Sequence, residues 1–124
     1  QSNFFQNAIT HFPENTTFIV FSDDITWCQK KLKKITTPRP QRYFPSKVST
    51  YHKNRTWNFI ESDDVTELYL MSQCHHHIIS NSSFSWWASY MSPHNGTVIA
   101  PRKWFGKKAK INTKDLYREK WVLI

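Results

Sequence analysis

Four short apolar runs mark the chain: Thr17-Phe18-Ile19-Val20-Phe21, Trp57-Asn58-Phe59-Ile60, His77-Ile78-Ile79 and Thr97-Val98-Ile99-Ala100. Each is rich in β-branched or aromatic residues and is too short for a helix, so each predicts a buried strand. Helical spacing fills the intervals. Residues 25–32 follow Ser22-Asp23-Asp24 and end in lysines, the charge order that a helix dipole favours. Ser62-Asp63-Asp64-Val65 opens a second helix, with Ser62 as its cap and Val65, Leu68, Leu70, Met71 and Cys74 as a broad apolar face. Phe84, Trp87, Ala88 and Met91 recur at i, i+3, i+4 and i+7 and predict a third, with Trp87 in the core and Trp86 about 100° away, free to face another domain. Pro93-His94-Asn95-Gly96 reads as a turn, residues 35–55 with Pro38, Pro40 and Pro45 as a loop, and the tail as holding a short helix around Leu116.

Short strands alternating with helices predict an α/β fold: a parallel sheet with helices on both faces. In such sheets ligands sit at the carboxyl ends of the strands. The 124 residues are expected to form one domain, long enough to bury a core. No apolar run approaches the ~18 residues of a membrane span. The start at Gln1 reads as a truncated or processed end, with any anchor upstream of it.

Charge divides the chain. All 17 Lys and Arg fall between Lys30 and Arg55 or between Arg102 and Lys120, and the formal net charge is +8. Basic blocks around a neutral centre suit an anionic ligand, an anionic membrane surface or nucleic acid, or simply a solvated surface. Cys28 and Cys74 make no disulfide framework and read as buried free thiols. Two glycines, Gly96 and Gly106, exclude a glycine-rich phosphate loop.

The chemistry concentrates after the third strand, in Ser80-Asn81-Ser82-Ser83-Phe84-Ser85. This loop leads into a helix N-terminus, where unpaired N–H groups and the dipole favour an anion, and serine hydroxyls add donors without charge. Two readings stand side by side: a diphosphate site, or an ordinary serine cap. Ser22-Asp23-Asp24 occupies the corresponding position after the first strand.

The runs F-S-D-D-I-T-W-C, E-L-Y-L-M-S-Q-C, H-I-I-S-N-S-S-F-S-W-W and V-I-A-P-R-K-W-F, in that order, resemble the α-1,2-fucosyltransferases, glycosyltransferase family 11. The resemblance extends from about Phe18 to Phe105, and Asp115-Leu116 and Trp121 also fit the family's tail. It implies the C-terminal, Rossmann-like half of an inverting GT-B enzyme that needs no metal. Such an enzyme moves fucose from GDP-fucose to the 2-hydroxyl of a galactose-containing glycan. It implies further that Ser82, Ser83, the backbone at Phe84, and Ser85 hold the diphosphate, and that Asn81 shapes the loop. Ser22, Asp23 and Asp24 then lie beside the donor. Glu67 stands where the family usually shows Asp and would read the guanine edge. Trp104-Phe105 is a further candidate for contact near the donor. The family's His-x-Arg-Arg segment is not in this chain. The catalytic groups and the acceptor site are therefore expected in an absent N-terminal domain, and this chain alone is expected to be inactive. The resemblance places a bacterial enzyme at the cytoplasmic face of a membrane, and an animal one in the Golgi membrane with its catalytic domain in the lumen.

Three readings compete. Cys74-His75-His76-His77 suggests zinc, but consecutive strand residues point to alternate faces and no second ligand pair with zinc-like spacing appears, so no metal is expected. The basic blocks and 16% aromatic content suggest single-stranded nucleic acid, but no binding fingerprint accompanies them, and no nucleic-acid partner is expected. A degenerate relative would fold and bind no guanine nucleotide.

Overall fold

The computed structural model describes residues 3–36 and 55–124. The expected proline-rich loop and most of the first basic block lie outside the described residues. The fold is α/β, with small parallel sheets and helices. Among the described residues the strands pair in two sheets, of two and three strands, rather than the single sheet that the alternation predicts. Two compact units result: Ile9–Ser62, and Gln1–Ala8 with Asp63–Ile124. Ahead of the first strand runs a helix that the pattern does not predict, α1 (Phe4–Ile9).

In the Ile9–Ser62 unit, β1 (Thr17–Phe21) pairs in parallel with β2 (Thr56–Ile60). The register sets Phe18 opposite Trp57, and the two rings stack at 4.7 Å. Arg55, immediately before β2, is buried. Its guanidinium donates to the carbonyls of Ile9 and Phe12, each at 2.8 Å, and lies over the Phe18 ring. Burial lowers its pKa, with Glu14 pulling the other way. α2 (Ile25–Thr36) runs four residues past the expected end at Leu32.

In the other unit, β3 (His77–Ile78), β4 (Val98–Ala100) and β5 (Val122–Leu123) form a parallel sheet with β4 central. Ile79, Val98 and Ala100 centre its core, and Met71, Trp86, Trp104, Tyr117, Trp121 and Leu123 pack around them. α3 (Asp64–Ser72) packs on α4 (Ser83–Met91). Asp63 caps α3 in place of the expected Ser62: one carboxylate oxygen accepts from Thr66 N at 2.9 Å and the other from Thr66 Oγ1 at 2.6 Å. Of the expected α3 face, Leu68, Met71 and Cys74 are partly buried and Met71 packs on the core, while Leu70 and Val65 lie outside, Val65 78% exposed. At Gly96 a Cβ would stand 1.6 Å from the His75 carbonyl oxygen, so only glycine lets this turn pass.

The buried face of α4 shares Ala88 with the expected one but is rotated about the helix axis, away from Trp87 and Met91. Trp87 and Met91 are about half exposed, at 51% and 50%, while Ser85, Ala88 and Ser89 are buried. The Ser85 hydroxyl donates to Ser82 O at 3.1 Å and the Ser89 hydroxyl to Ser85 O at 3.0 Å. With their polarity satisfied backward along the helix, the serines act as small spacers that let α4 lie close against its unit. Trp86, not Trp87, reaches the core, and its indole N–H donates to Leu116 O at 2.7 Å. No helix forms at Leu116. That segment is a turn, with Leu116 N donating to Thr113 O at 3.1 Å and its carbonyl taken by Trp86. Both cysteines are free and half-buried rather than fully buried.

Candidate functional site

The loop after β3 is built by Asn81. Its side-chain amide donates to the carbonyl oxygens of Lys103, at 2.9 Å, and Trp104. It therefore ties the carboxyl end of β3 to the segment that follows β4, its neighbour in the sheet. Ser82 takes the N-cap position of α4 in extended conformation, φ −137°, ψ 131°, and its N–H donates to Ser80 O at 2.8 Å. Its side chain makes no capping bond. Among the described residues, the backbone N–H groups of Ser83, Phe84 and Ser85 have no acceptor. The hydrogen-bonded ladder begins with Trp86 N to Ser82 O at 3.0 Å.

The contrast with the other helices is chemical. Asp24 stands just before α2, its Oδ1 accepting from Trp27 N at 2.8 Å, and Asp63 stands just before α3 as its N-cap. Carboxylates satisfy those N-termini. α4 has only serines there, so its positive end stays open to an external anion. Ser83 is exposed and Phe84 half-buried. Ser85 is buried with its hydroxyl engaged by backbone carbonyls, so what it offers an anion is its N–H.

Glu67 is half-buried in α3, in the same unit as the serine loop. Ser22, Asp23 and Asp24 belong to the other unit. There the Ser22 hydroxyl accepts from Asp24 N at 3.1 Å and the Asp24 carboxylate caps α2. Asp23 is exposed. Two features of the site are absent from the sequence expectations, the carbonyl partners of Asn81 and the carboxylate caps. The second was available in the letters, since Asp24 and Asp63 each precede a helix and α4 is preceded by Ser82.

The histidine run faces three ways. His75 lies against the His94 ring at 4.2 Å, and His76 Nδ1 accepts from Thr97 N at 2.9 Å. His77 Nε2 donates to Met71 O at 2.7 Å. Burial, first, and then His76 and His94 hold the His77 pKa below its ordinary value, against the Met71 hydrogen bond. Among the described residues no three His, Cys, Asp or Glu side chains are grouped to hold a metal ion. An open cavity of about 260 Å³ lies at the far end of α4, lined by Ser89, Ser92, Arg118 and Glu119 among others. The Ser89 and Ser92 hydroxyls there already donate to Ser85 O and Cys74 O, and Glu119 offsets the cations, so this cavity is the weaker anion site.

The family model for glycosyl transferase family 11 matches residues 1–124. An alpha-1,2-colitosyltransferase of Escherichia coli is 37% identical over 112 residues, covering 89% of this chain and 33% of the relative. The O-antigen biosynthesis glycosyltransferase WbnK, also of Escherichia coli, is 26% identical over 124 residues, 97% of this chain and 35% of its own. The chain therefore spans about a third of the length of the curated relatives it matches. No solved structure matches it significantly.

Proposed function

The chain belongs to glycosyl transferase family 11, and from that premise we propose that it is the donor-binding part of an inverting, GT-B-type transferase with a Rossmann-like donor domain. In this reading the protein transfers fucose from GDP-fucose to the 2-hydroxyl of a galactose-containing glycan at a membrane surface, without a metal. The observation that carries it is the open N-terminus of α4, where the N–H groups of Ser83, Phe84 and Ser85 have no acceptor among the described residues and Ser83 is exposed. In the transfer, negative charge builds on the departing GDP. Fixed N–H donors and the helix dipole stabilise that charge without reorganising. Glu67 accepts two N–H bonds from the guanine edge and so selects the base.

The relative's name favours a second donor, colitose, which is fucose without its 3-hydroxyl. Calorimetric titration separates these readings. GDP and GDP-fucose are expected to bind and UDP not to. Ser83→Ala weakens both guanine ligands, and Glu67→Gln removes the preference for GDP over UDP. Equal binding of UDP, or no nucleotide binding by the folded protein, sinks the proposal, and the second result is what a degenerate relative gives. Tighter binding of a colitose donor than of GDP-fucose replaces the sugar and leaves the site intact.

A further inference from the structure

Between β4 and β5 the chain makes a long excursion with an unusual balance. Residues 102–114 carry Arg102, Lys103, Lys107, Lys108, Lys110 and Lys114 and no acidic residue. The excursion is held at its base. Trp104 packs in the core and its ring meets Tyr117 at 6.2 Å, the Tyr117 hydroxyl donates to Pro101 O at 2.6 Å, and Asn81 holds the Lys103 and Trp104 carbonyls. Beyond Trp104 it stands clear of the unit. A Cβ at Gly106 would meet nothing within 4 Å, and a turn closes there with Ala109 N donating to Gly106 O at 3.0 Å. Two large apolar side chains flank the lysines and are exposed, Phe105 at 41% and Ile111 at 56%.

Lysines alone would read as a solvated loop. Lysines bracketed by exposed Phe105 and Ile111 fit a surface that is anionic outside and apolar just beneath. That is the leaflet of a bilayer carrying acidic lipids, where cations meet headgroups and short apolar anchors enter the acyl boundary. We propose that the 105–111 loop docks the protein onto an anionic bilayer, with Phe105 and Ile111 inserted and Lys107, Lys108 and Lys110 on the headgroups. The inference rests on charge complementarity and exposed apolar anchors. It is independent of which nucleotide sugar the serine loop takes.

The test is flotation of the full-length protein with vesicles of phosphatidylcholine, with and without phosphatidylglycerol. The protein floats with the anionic vesicles only, and raising the salt from about 0.1 M to about 0.5 M, which shortens the Debye length from about 10 Å to about 4 Å, weakens the binding. Replacing the three lysines with Gln weakens it on the order of 10- to 100-fold. Phe105→Ser with Ile111→Ser weakens it about as much without changing the salt dependence. Both variants alter exposed side chains, so circular dichroism should match the wild type. Unchanged flotation of the Phe105/Ile111 variant overturns insertion. Binding to a single-stranded oligonucleotide as tight as to the anionic vesicles overturns the choice of a membrane.

Discussion

Among the described residues, Arg55 and His77 are the two buried ionisable side chains, and their partners explain their burial. Arg55 holds two carbonyls on one planar fork, which no other side chain reproduces. Arg55→Met leaves both carbonyls without a charged donor and is expected to destabilise the Ile9–Ser62 unit by roughly 3 kcal/mol, read from denaturant midpoints. Arg55→Lys should recover only part of this. His77 is held neutral, since Nε2 must keep its proton to donate to Met71 and burial disfavours a second proton. Its pKa in the fold lies below the value of about 6.5 in the unfolded chain, so between the two values the unfolded state binds more protons. Stability from this group is complete above about pH 6.5 and is lost as pH falls toward the folded pKa. The denaturant midpoint should therefore drop between pH 7.5 and 5. In His77→Gln, whose amide donates without titrating, that drop should shrink. Neither role was legible in the sequence. Arg55 closes the first basic block by position, and its partners lie more than forty residues away. His77 sits in a histidine run whose members turn out to have unrelated neighbours.

At the scale of elements, strand and helix positions were largely legible and helix orientation was not. The four apolar runs become β1 to β4 with ends shifted by a residue or so. β5 escaped because Val122-Leu123 is only two residues long. In α4 the large apolar residues Trp87 and Met91 do not mark the core, and of the expected face only Ala88 is fully buried. Its buried face is Ser85, Ala88 and Ser89, and small size with back-bonded hydroxyls does what hydrophobicity usually does. The same helix sets function against stability. Ser82→Asp would give α4 the carboxylate cap that α2 and α3 have, stabilising the unit by about 1 kcal/mol. It would also place a negative charge where the diphosphate is proposed to bind. Thermal denaturation should show a raised midpoint while titration shows GDP affinity lost. A rise in both would move the anion site away from α4.

For the whole molecule, the α/β class was legible because short apolar runs alternate with helical spacing, but the division into two sheets was not. Each strand presents the same kind of apolar run, and which edges pair depends on contacts such as Phe18 with Trp57 that pattern alone does not rank. The candidate site was legible as a loop of hydroxyls ahead of a helix. What made it open, the absence of a cap, required the hydrogen bonds. The tie that fixes the loop, the Asn81 amide on two carbonyls, bears on how the protein is made. Asn81-Ser82-Ser83 has the form of an acceptor for N-linked glycan, and the nitrogen that would receive the sugar is the one donating to Lys103 and Trp104. Material passed through a eukaryotic secretory pathway and modified there would keep a single N–H on that nitrogen, too few to hold both carbonyls, and the segments after β3 and β4 would loosen. Mass spectrometry of such material should find Asn81 bare in every folded molecule, and glycan at Asn81 should track with lost nucleotide binding. A host without that modification is the one to choose.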